Sequence, residues 1–289
     1  QTLFSCSDDE SAYGGSDHGR IVARIDQSAA TRTAVGDAVD GTNAVGIVWT
    51  DGDEIGVFDA SGASQKRYAK VGTGTAPTAA FAASGTAFDS PVYAYYPYAA
   101  ANNSNDMRSL TGTLPATQNM DSGTLHGDYK YGSAVTQTDD GGWEFEFKHI
   151  FSLARITIDA TGTPLQGETL KSLTVSVSRG DADVPIAGDF TFSAEDGSWT
   201  QTGERQSSIT LEWNTSAPAL DQTQTCYMSL FPLVRTGDLF TITVSTESYK
   251  AEFTAASLAN FAAEQIYNFP VTLSNYESLK VVDNEGTAV

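Results

Sequence analysis

Apolar and polar residues alternate with a period of two along much of this chain, and this pattern constrains the fold more than any other feature. In the segment 20–26, Ile21, Ala23 and Ile25 share one face, and three charged residues lie on the other. The segment 143–148 alternates aromatic with charged residues without an error. Successive side chains of a β-strand point to opposite faces of its sheet, so both segments predict strands with one buried face. The chain is therefore predicted to be all-β.

The second half of the chain repeats this alternation in four further stripes. They are Leu173, Val175 and Val177; Ile209, Leu211 and Trp213; Phe240, Ile242 and Val244; and Tyr267, Phe269, Val271 and Leu273. Thr, Ser, Gly, Ala and aromatic residues are abundant, which is typical of short strands joined by turns. One short helix is predicted, over 257–265. No fixed-period repeat is present, so neither a solenoid nor a propeller is expected.

The length and one change of phase predict two domains. A chain of 289 residues corresponds to about two domains of roughly 150 residues each. The inward-facing positions are odd-numbered up to Phe147 and even-numbered from Ile156. This change indicates a bulge or a strand that passes from one sheet to another. We predict an N-terminal β-sandwich domain over 20–142, a C-terminal β-sandwich domain over 143–275 and a tail over 276–289.

The charge balance argues against two classes of partner. The chain has 36 acidic and 16 basic residues, which gives a net charge of −20. A surface of this sign repels phosphate backbones and anionic lipid headgroups. Neither nucleic acids nor charged membrane surfaces are therefore expected as partners. No apolar stretch approaches the roughly 20 residues that a membrane-spanning helix needs.

The first residues of the sequence resemble an export signal. Residues 3–6, Leu-Phe-Ser-Cys, resemble the end of a bacterial lipoprotein signal peptide, which makes Cys6 the predicted lipidation site. The acidic run at 7–10 resembles the surface-export signal of Bacteroidetes lipoproteins. On this interpretation residues 1–5 are a signal-peptide remnant and residues 6–19 are a flexible lipidated tether. The predicted location is the cell surface, as an outer membrane lipoprotein attached only through its lipid.

The sequence carries no recognisable motif for catalysis, cofactor binding or metal binding. Its three histidines have no metal-ligand spacing to one another or to a cysteine, and there is neither a nucleophile elbow nor a phosphate-binding loop. We predict no catalytic residue, no cofactor and no metal, and hence a protein that is not an enzyme. Cys226 lies in an apolar run and is interpreted as a small buried hydrophobic residue.

A cluster of four tyrosines allows two interpretations. Residues 93, 95, 96 and 98 are all tyrosine, and such a cluster can stack against sugars or pack in a core. Alternation places Tyr93 and Tyr95 on one face of a strand and Tyr96 and Tyr98 on the other. The sequence leaves both interpretations open.

Five short motifs follow the N-terminal Cys in order: Thr-Arg-Thr at 31–33, Trp-Thr-Asp-Gly-Asp-Glu-Ile-Gly-Val-Phe at 49–58, Tyr-Ala-Tyr-Tyr-Pro-Tyr at 93–98, Leu-Pro-Ala-Thr-Gln at 114–118 and Phe-Lys-His at 147–149. Together with that Cys, they resemble the fimbrillin family of Bacteroidales pilus subunits and fimbria-like lipoproteins. The resemblance implies two transthyretin-like β-sandwich domains. It also implies a fimbrial subunit or fimbria-associated adhesin whose partners are other fimbrial subunits, joined by strand exchange. The alternative function is a glycan-binding surface lipoprotein of a polysaccharide-uptake system.

Strand exchange assigns roles to particular residues. The resemblance implies that an arginine-specific protease removes the first strand and that a strand from a neighbouring subunit fills the groove. The displaceable first strand is predicted to contain Ile21, Ala23 and Ile25 and to lie at the edge of its sheet. The candidate cleavage point is Arg32, in the loop that follows, with Arg20 and Arg24 as less accessible alternatives. The candidate donor strand lies in the tail and contains Leu279 and Val281.

Overall fold

The computed structural model describes residues 19–26, 48–120, 125–139, 141–213, 215–221 and 223–279. Within these ranges the chain forms twenty strands and one 3₁₀ helix at Ala100–Asn102. The all-β prediction is therefore confirmed. The described part of the chain contains no helix that is long and apolar enough to cross a bilayer.

Seven strands form a closed barrel. Numbered in chain order, they are β1 (Ile21–Ile25), β2 (Glu54–Asp59), β3 (Lys66–Lys70), β4 (Thr78–Ala83), β5 (Pro91–Tyr96), β8 (Lys130–Gln137) and β9 (Trp143–His149). Around the barrel their order is β1-β4-β3-β2-β5-β8-β9. Neighbouring strands are antiparallel except for β9 and β1, which run parallel.

The other strands form three sheets. They are β6 (Leu110–Leu114), β7 (Thr117–Asn119), β10 (Ser152–Asp159), β11 (Ser172–Arg179), β12 (Ala182–Asp183), β13 (Ala187–Phe192), β14 (Trp199–Gln206), β15 (Ser208–Glu212), β16 (Gln224–Leu230), β17 (Leu239–Ser245), β18 (Tyr249–Ala256), β19 (Ile266–Thr272) and β20 (Asn275–Ser278). The largest sheet has the order β20-β18-β17-β11-β15-β7, with β12 paired to β11. Two three-stranded sheets have the orders β16-β10-β19 and β14-β13-β6.

Two large apolar cores follow from this arrangement. The first lies among the barrel strands and includes the buried residues of β1 together with Trp49 and Phe147. The second is built mainly by the three later sheets, but it also includes Phe58 and Tyr95 of the barrel. The Tyr95 ring lies 5.5 Å from the ring of Phe192, between centroids. The barrel strands β2 and β5 therefore contribute side chains to both cores.

The pairing of β9 corrects the predicted domain boundary. The boundary at 142 assigned this strand to the second domain, but β9 pairs with β1 and β8 of the barrel. The chain leaves the barrel later, between the end of β9 at His149 and the start of β10 at Ser152. Ile150 and Phe151 in this connection are both buried. The change of phase therefore coincides with the short connection between two strands of different sheets, β9 in the barrel and β10 in a three-stranded sheet.

The helix predicted over 257–265 is wrong. These residues form a loop whose backbone groups are taken by distant partners, which compete with helical hydrogen bonds. The N–H of Phe261 donates to the carbonyl of Val234 at 2.9 Å. The hydroxyl of Tyr267 donates to the carbonyl of Asn260 at 3.1 Å and accepts from the N–H of Ala262 at 2.9 Å.

Candidate strand-binding groove

Strand β1 closes the barrel, because it pairs with β4 on one side and with β9 on the other. The expectation of a sheet edge is therefore wrong. A strand from much later in the chain covers its second side, and the alternation of its own side chains cannot reveal this. Ile21, Ala23 and Ile25 have no exposed surface, which confirms that these three side chains point inward.

The register of β1 places an aromatic residue beside each of its isoleucines. Ile21 is paired with Phe81 of β4, and Ile25 is paired with Phe147 of β9. Ala23, between the isoleucines, is paired with Ala79 of β4. The inner face of β1 therefore carries a large, a small and a large side chain in order. In the ladder with β4, the small middle residue is paired with another small residue.

Trp49 lies under β1 and is tied to it by a hydrogen bond. Its Nε1 donates to the carbonyl oxygen of Ala23 at 3.0 Å, and the side chain is fully buried. The indole makes edge-to-face contacts with Phe81, Tyr96 and Phe147, with ring centroids 5.0, 5.4 and 5.2 Å away. Contacts of this geometry stabilise an aromatic cluster beyond simple burial. Trp49 thus connects β4, β5 and β9 within the barrel core.

A buried ionic cluster of Asp128, Lys130 and His149 supports this aromatic core. The Lys130 ammonium and the His149 Nδ1 both contact the Asp128 carboxylate, the imidazole at 2.6 Å. The Lys130 Nζ also lies 4.2 Å from the ring centroid of Tyr96 and 5.1 Å from that of Trp49. A desolvated cation over aromatic faces is attracted by the ring quadrupoles. The cluster therefore links β8 and the end of β9 to the rings beneath β1.

Burial and charge act in opposite directions on this cluster. Burial by itself raises the pKa of Asp128, but the charges of Lys130 and His149 outweigh it, so the pKa lies below its ordinary value. Burial lowers the pKa of Lys130, and the Asp128 carboxylate offsets part of that change. Because the carboxylate has two nitrogen partners, the ion pair is the form that the geometry favours. Burial, followed by the charge of Asp53, raises the pKa of Tyr96 well above its ordinary value.

The structure describes two of the three candidate arginines. Arg24 lies in β1 with an exposed side chain that forms a 3.4 Å ion pair with Glu144. The carbonyl of Arg20 accepts a hydrogen bond from the N–H of Trp143 at 2.9 Å. Arg32, the preferred cleavage point, lies outside the described residues, and so does the predicted lipidation site Cys6.

Comparison with known proteins identifies the family. A family model for fimbrillin-like proteins matches residues 31–287 of the chain. The chain belongs to the fimbrillin-like family. Searching curated proteins yields no significant match.

Two solved structures share the fold of this fimbrillin-like chain. A candidate cell adhesion protein from Bacteroides uniformis superimposes with a TM-score of 0.55 at 19% identity, over 90% of this chain and 95% of the other. A candidate cell adhesion protein from Bacteroides ovatus gives a TM-score of 0.52 at 19% identity, over 91% and 98% of the two chains. At this identity the similarity shows a common fold.

The tail of the fimbrillin-like chain begins as an edge strand of its own largest sheet. Strand β20 pairs antiparallel with the first half of β18, and all four of its side chains are exposed. The N–H of Leu279 donates to the carbonyl of Ser248 at 2.7 Å, while its side chain is 49% exposed. Val281 lies outside the described residues. The donor role of Leu279 and Val281 therefore stays a prediction.

The four tyrosines do not form a common exposed face. Tyr95 is fully buried, and Tyr93 packs against the same core, whereas Tyr96 packs against the barrel core. The Tyr96 hydroxyl donates to Asp53 at 3.0 Å, and the Tyr98 hydroxyl donates to Asn103 at 3.2 Å. This arrangement favours the interpretation of the cluster as packing residues.

Cys226 is buried in β16, as predicted, and burial raises the pKa of its thiol to about 12. The thiol therefore has the character of a small hydrophobic residue rather than of a nucleophile. In the part of the chain that the structure describes, no group of three or more His, Cys, Asp and Glu residues has a geometry that could hold a metal ion.

Sequence reasoning missed the ionic cluster entirely. The alternation of side chains could not reveal it, because the inward position of Lys130 in β8 is known only from its burial in the folded chain. A buried lysine requires a partner, and Asp128, two residues earlier, was the nearest acid. The contact with His149 could not be found in this way, because it depends on the pairing of β8 with β9.

Proposed function

We propose that this chain is a fimbrial subunit or fimbria-associated adhesin, exported as a surface lipoprotein and assembled by strand exchange. An arginine-specific protease removes the segment that carries β1, and a strand from a neighbouring subunit takes its place by β-augmentation. The observation that carries the proposal is the position of β1 between β4 and β9. Its removal leaves two unpaired strand edges that face each other across a single strand width.

The groove needs a new occupant because its floor is apolar. Removing β1 takes away Ile21, Ala23 and Ile25, and it uncovers the aromatic cluster around Trp49. Burial of the two isoleucines contributes about 3–6 kcal/mol, at roughly 1.5–3 kcal/mol for each large aliphatic side chain. Unpaired edges and an exposed apolar floor together promote pairing with another chain. A strand from a neighbouring subunit in which apolar and polar side chains alternate can pair with the unpaired edges and cover the apolar floor.

The chain offers a suitable place for the cut. Arg32 is the only arginine or lysine between β1 and Trp49. Cleavage after it separates β1 from the rest of the barrel without breaking any other strand that the structure describes. The same cut separates the chain from the predicted lipid at Cys6, so trimming converts an anchored precursor into a free subunit.

The test is trimming of the purified chain with an arginine-specific protease. We expect release of an N-terminal peptide that ends at Arg32, followed by polymers that size-exclusion chromatography and electron microscopy detect. The Arg32→Ala variant stays uncut at this point and monomeric, whereas the paired control Arg24→Ala is trimmed like the parent chain. Trimmed protein that remains monomeric at high concentration would count against strand exchange. Mass spectrometry of the N-terminus from intact cells checks lipidation, with Cys6→Ala as the unlipidated reference.

A further inference from the structure

The Trp49 indole lies between the two ends of β1. It contacts the ring of Phe81, which is the ladder partner of Ile21, at 5.0 Å between centroids. It also contacts the ring of Phe147, the ladder partner of Ile25, at 5.2 Å. An indole that touches the partners of both isoleucines is located under the middle of the strand.

The middle of β1 is small where the indole lies. The Nε1 of Trp49 reaches the carbonyl oxygen of Ala23 at 3.0 Å, and the cross-strand neighbours of Ala23 are Ala79 on β4 and Phe145 on β9. Ala23 and Ala79 are both small, and both belong to the same buried cluster as Trp49. A larger side chain at position 23 would compete with the indole for the same space, and a packed core has no room for both.

The indole has supports that do not depend on β1. Phe81 and Phe147 belong to neighbouring strands, and Lys130 and Tyr96 contact the indole from β8 and β5. The backbone of Trp49 is itself fixed, since its N–H and carbonyl form a bridge with Ala76 at 2.7 and 3.2 Å. We expect these contacts to keep the indole N–H directed into the groove when the strand is gone.

We propose that the groove left by β1 selects an extended segment with the pattern large aliphatic, any, small, any, large aliphatic, and that the N–H of Trp49 sets its register. This inference rests on the strand exchange proposed above. The occupant must present a backbone carbonyl to the indole at its small residue, because a buried donor without an acceptor lowers affinity by a factor of roughly ten. A shift by one residue turns the apolar face outward. A shift by two residues brings a large side chain onto the indole.

The tail of this chain does not carry the pattern. In residues 275–289 no aliphatic residue is followed by a small residue at the second position and by another aliphatic residue at the fourth. The nearest match, 279–283, has Val281 in the middle and Asp283 at the end. The preferred occupant is therefore a segment of a different subunit that carries the pattern, and this tail from a second copy of the chain should fill the groove only at high protein concentration.

The first test uses the uncut chain. We expect Ala23→Leu to lower the equilibrium constant for folding at least roughly tenfold, because it overpacks the site of the indole. The control Val22→Leu enlarges an adjacent side chain that points away from the indole, and it should change this constant by less than roughly threefold. Trp49→Phe added to Ala23→Leu should recover part of the loss, which a general strand defect would not allow. An Ala23→Leu chain as stable as the parent would overturn the proposal.

The second test uses the chain after trimming. Labelled peptides with the sequence of residues 20–26, the same peptide with Ala23→Leu, and residues 275–289 are offered in excess. The unchanged peptide should enter the groove at least roughly tenfold better than either of the others. Equal entry of the three peptides would refute the selection of a small residue. If no peptide enters, strand exchange itself fails, and the uncut variants still decide whether position 23 must be small.

Discussion

The Nε1 of Trp49 donates a 3.0 Å hydrogen bond to the carbonyl oxygen of Ala23. This bond joins β1 to a residue that follows the predicted cleavage point at Arg32. After a cut there, the bond, the two strand ladders and apolar burial are what hold β1 in the barrel. Trp49 therefore belongs to both states of the proposed mechanism: it holds the resident strand, and it presents the donor that the next strand must satisfy.

Trp49→Phe should destabilise the barrel by about 2–3 kcal/mol, because it removes a buried hydrogen bond and leaves part of the indole volume empty. The measurement is urea unfolding followed by circular dichroism. Trp143→Phe is a matched control, since Trp143 lies in β9 half buried and its Nε1 has no hydrogen-bond partner among the described residues. We expect that control to cost about 1 kcal/mol or less. If the two variants lose equal free energy of unfolding, the hydrogen bond to Ala23 does not contribute measurably to stability.

The stability that Asp128 contributes should disappear in acid. Lys130 and His149 outweigh the effect of burial and hold the pKa of Asp128 below its ordinary value of 3.8. A depressed pKa in the folded state means that the stabilisation is complete above about pH 4 and is lost as the pH falls through the folded-state pKa. We expect Asp128→Asn to cost about 3 kcal/mol at pH 7, because Lys130 is left buried without its counterion.

Urea unfolding of the parent chain and of Asp128→Asn between pH 3 and 7 measures this difference. The two free energies of unfolding should converge as the pH falls below about 4. Asp189→Asn is the control, because Asp189 also has a lowered pKa but is only partly buried, and it accepts hydrogen bonds from Thr113 and from the N–H of Glu204. Its effect at pH 7 should be much smaller than that of Asp128→Asn. A gap for Asp128→Asn that is constant over this pH range would contradict the assignment.

Cys226 should not react with thiol reagents while the chain is folded. Burial raises its pKa to about 12, so the thiolate that such reagents need is scarce and inaccessible. In a Cys6→Ser background, labelling at pH 8 should be at least roughly a hundredfold slower than in denaturant. Leu258→Cys, at a position with 93% exposure, supplies the positive control. Rapid labelling of the folded chain would mean that β16 opens easily.

The alternation of side chains predicted the strands well, because a buried face leaves a period of two in the sequence. Ile21, Ala23 and Ile25 point inward as expected, and so do the stripes at Leu173, Val175 and Val177 and at Phe240, Ile242 and Val244. What this pattern cannot give is the identity of the neighbouring strand. The parallel pairing of β1 with β9 joins distant parts of the chain. This pairing closes the barrel and makes β9 a barrel strand.

The same limit explains what was missed at the site. Trp49 was visible as a large apolar residue, but its bond to Ala23 follows from the closed barrel. Lys130 was visible only as a charged residue, since its inward position in β8 and its neighbours Tyr96 and Trp49 follow from the folded chain. The helix predicted over 257–265 was wrong for a related reason. Distant backbone partners take the place of the helical hydrogen bonds that the apolar spacing suggested.

Removal of residues 275–289 should leave a folded chain. Strand β20 contributes four exposed side chains and main-chain pairing to one half of β18. We expect the truncation to lower the free energy of unfolding by about 1–3 kcal/mol, since each hydrogen bond contributes about 0.5–1.5 kcal/mol net. The unfolding transition in urea should remain cooperative. Because β20 lies in a different sheet from β1, the trimmed and truncated chain should still accept the peptide of residues 20–26.

Mixing experiments with this truncated chain separate the two roles of a subunit in strand exchange, which are to accept a strand and to donate one. If the tail donates a strand to another subunit, trimmed and truncated protein should end a polymer but not extend it. Tyr276→Ala is the control, because it removes an exposed ring that contacts Tyr249 at 6.4 Å between centroids and leaves the main chain of β20 in place. Polymers that grow equally well without residues 275–289 would show that the donor strand lies elsewhere, and Leu279 and Val281 would lose their assigned role.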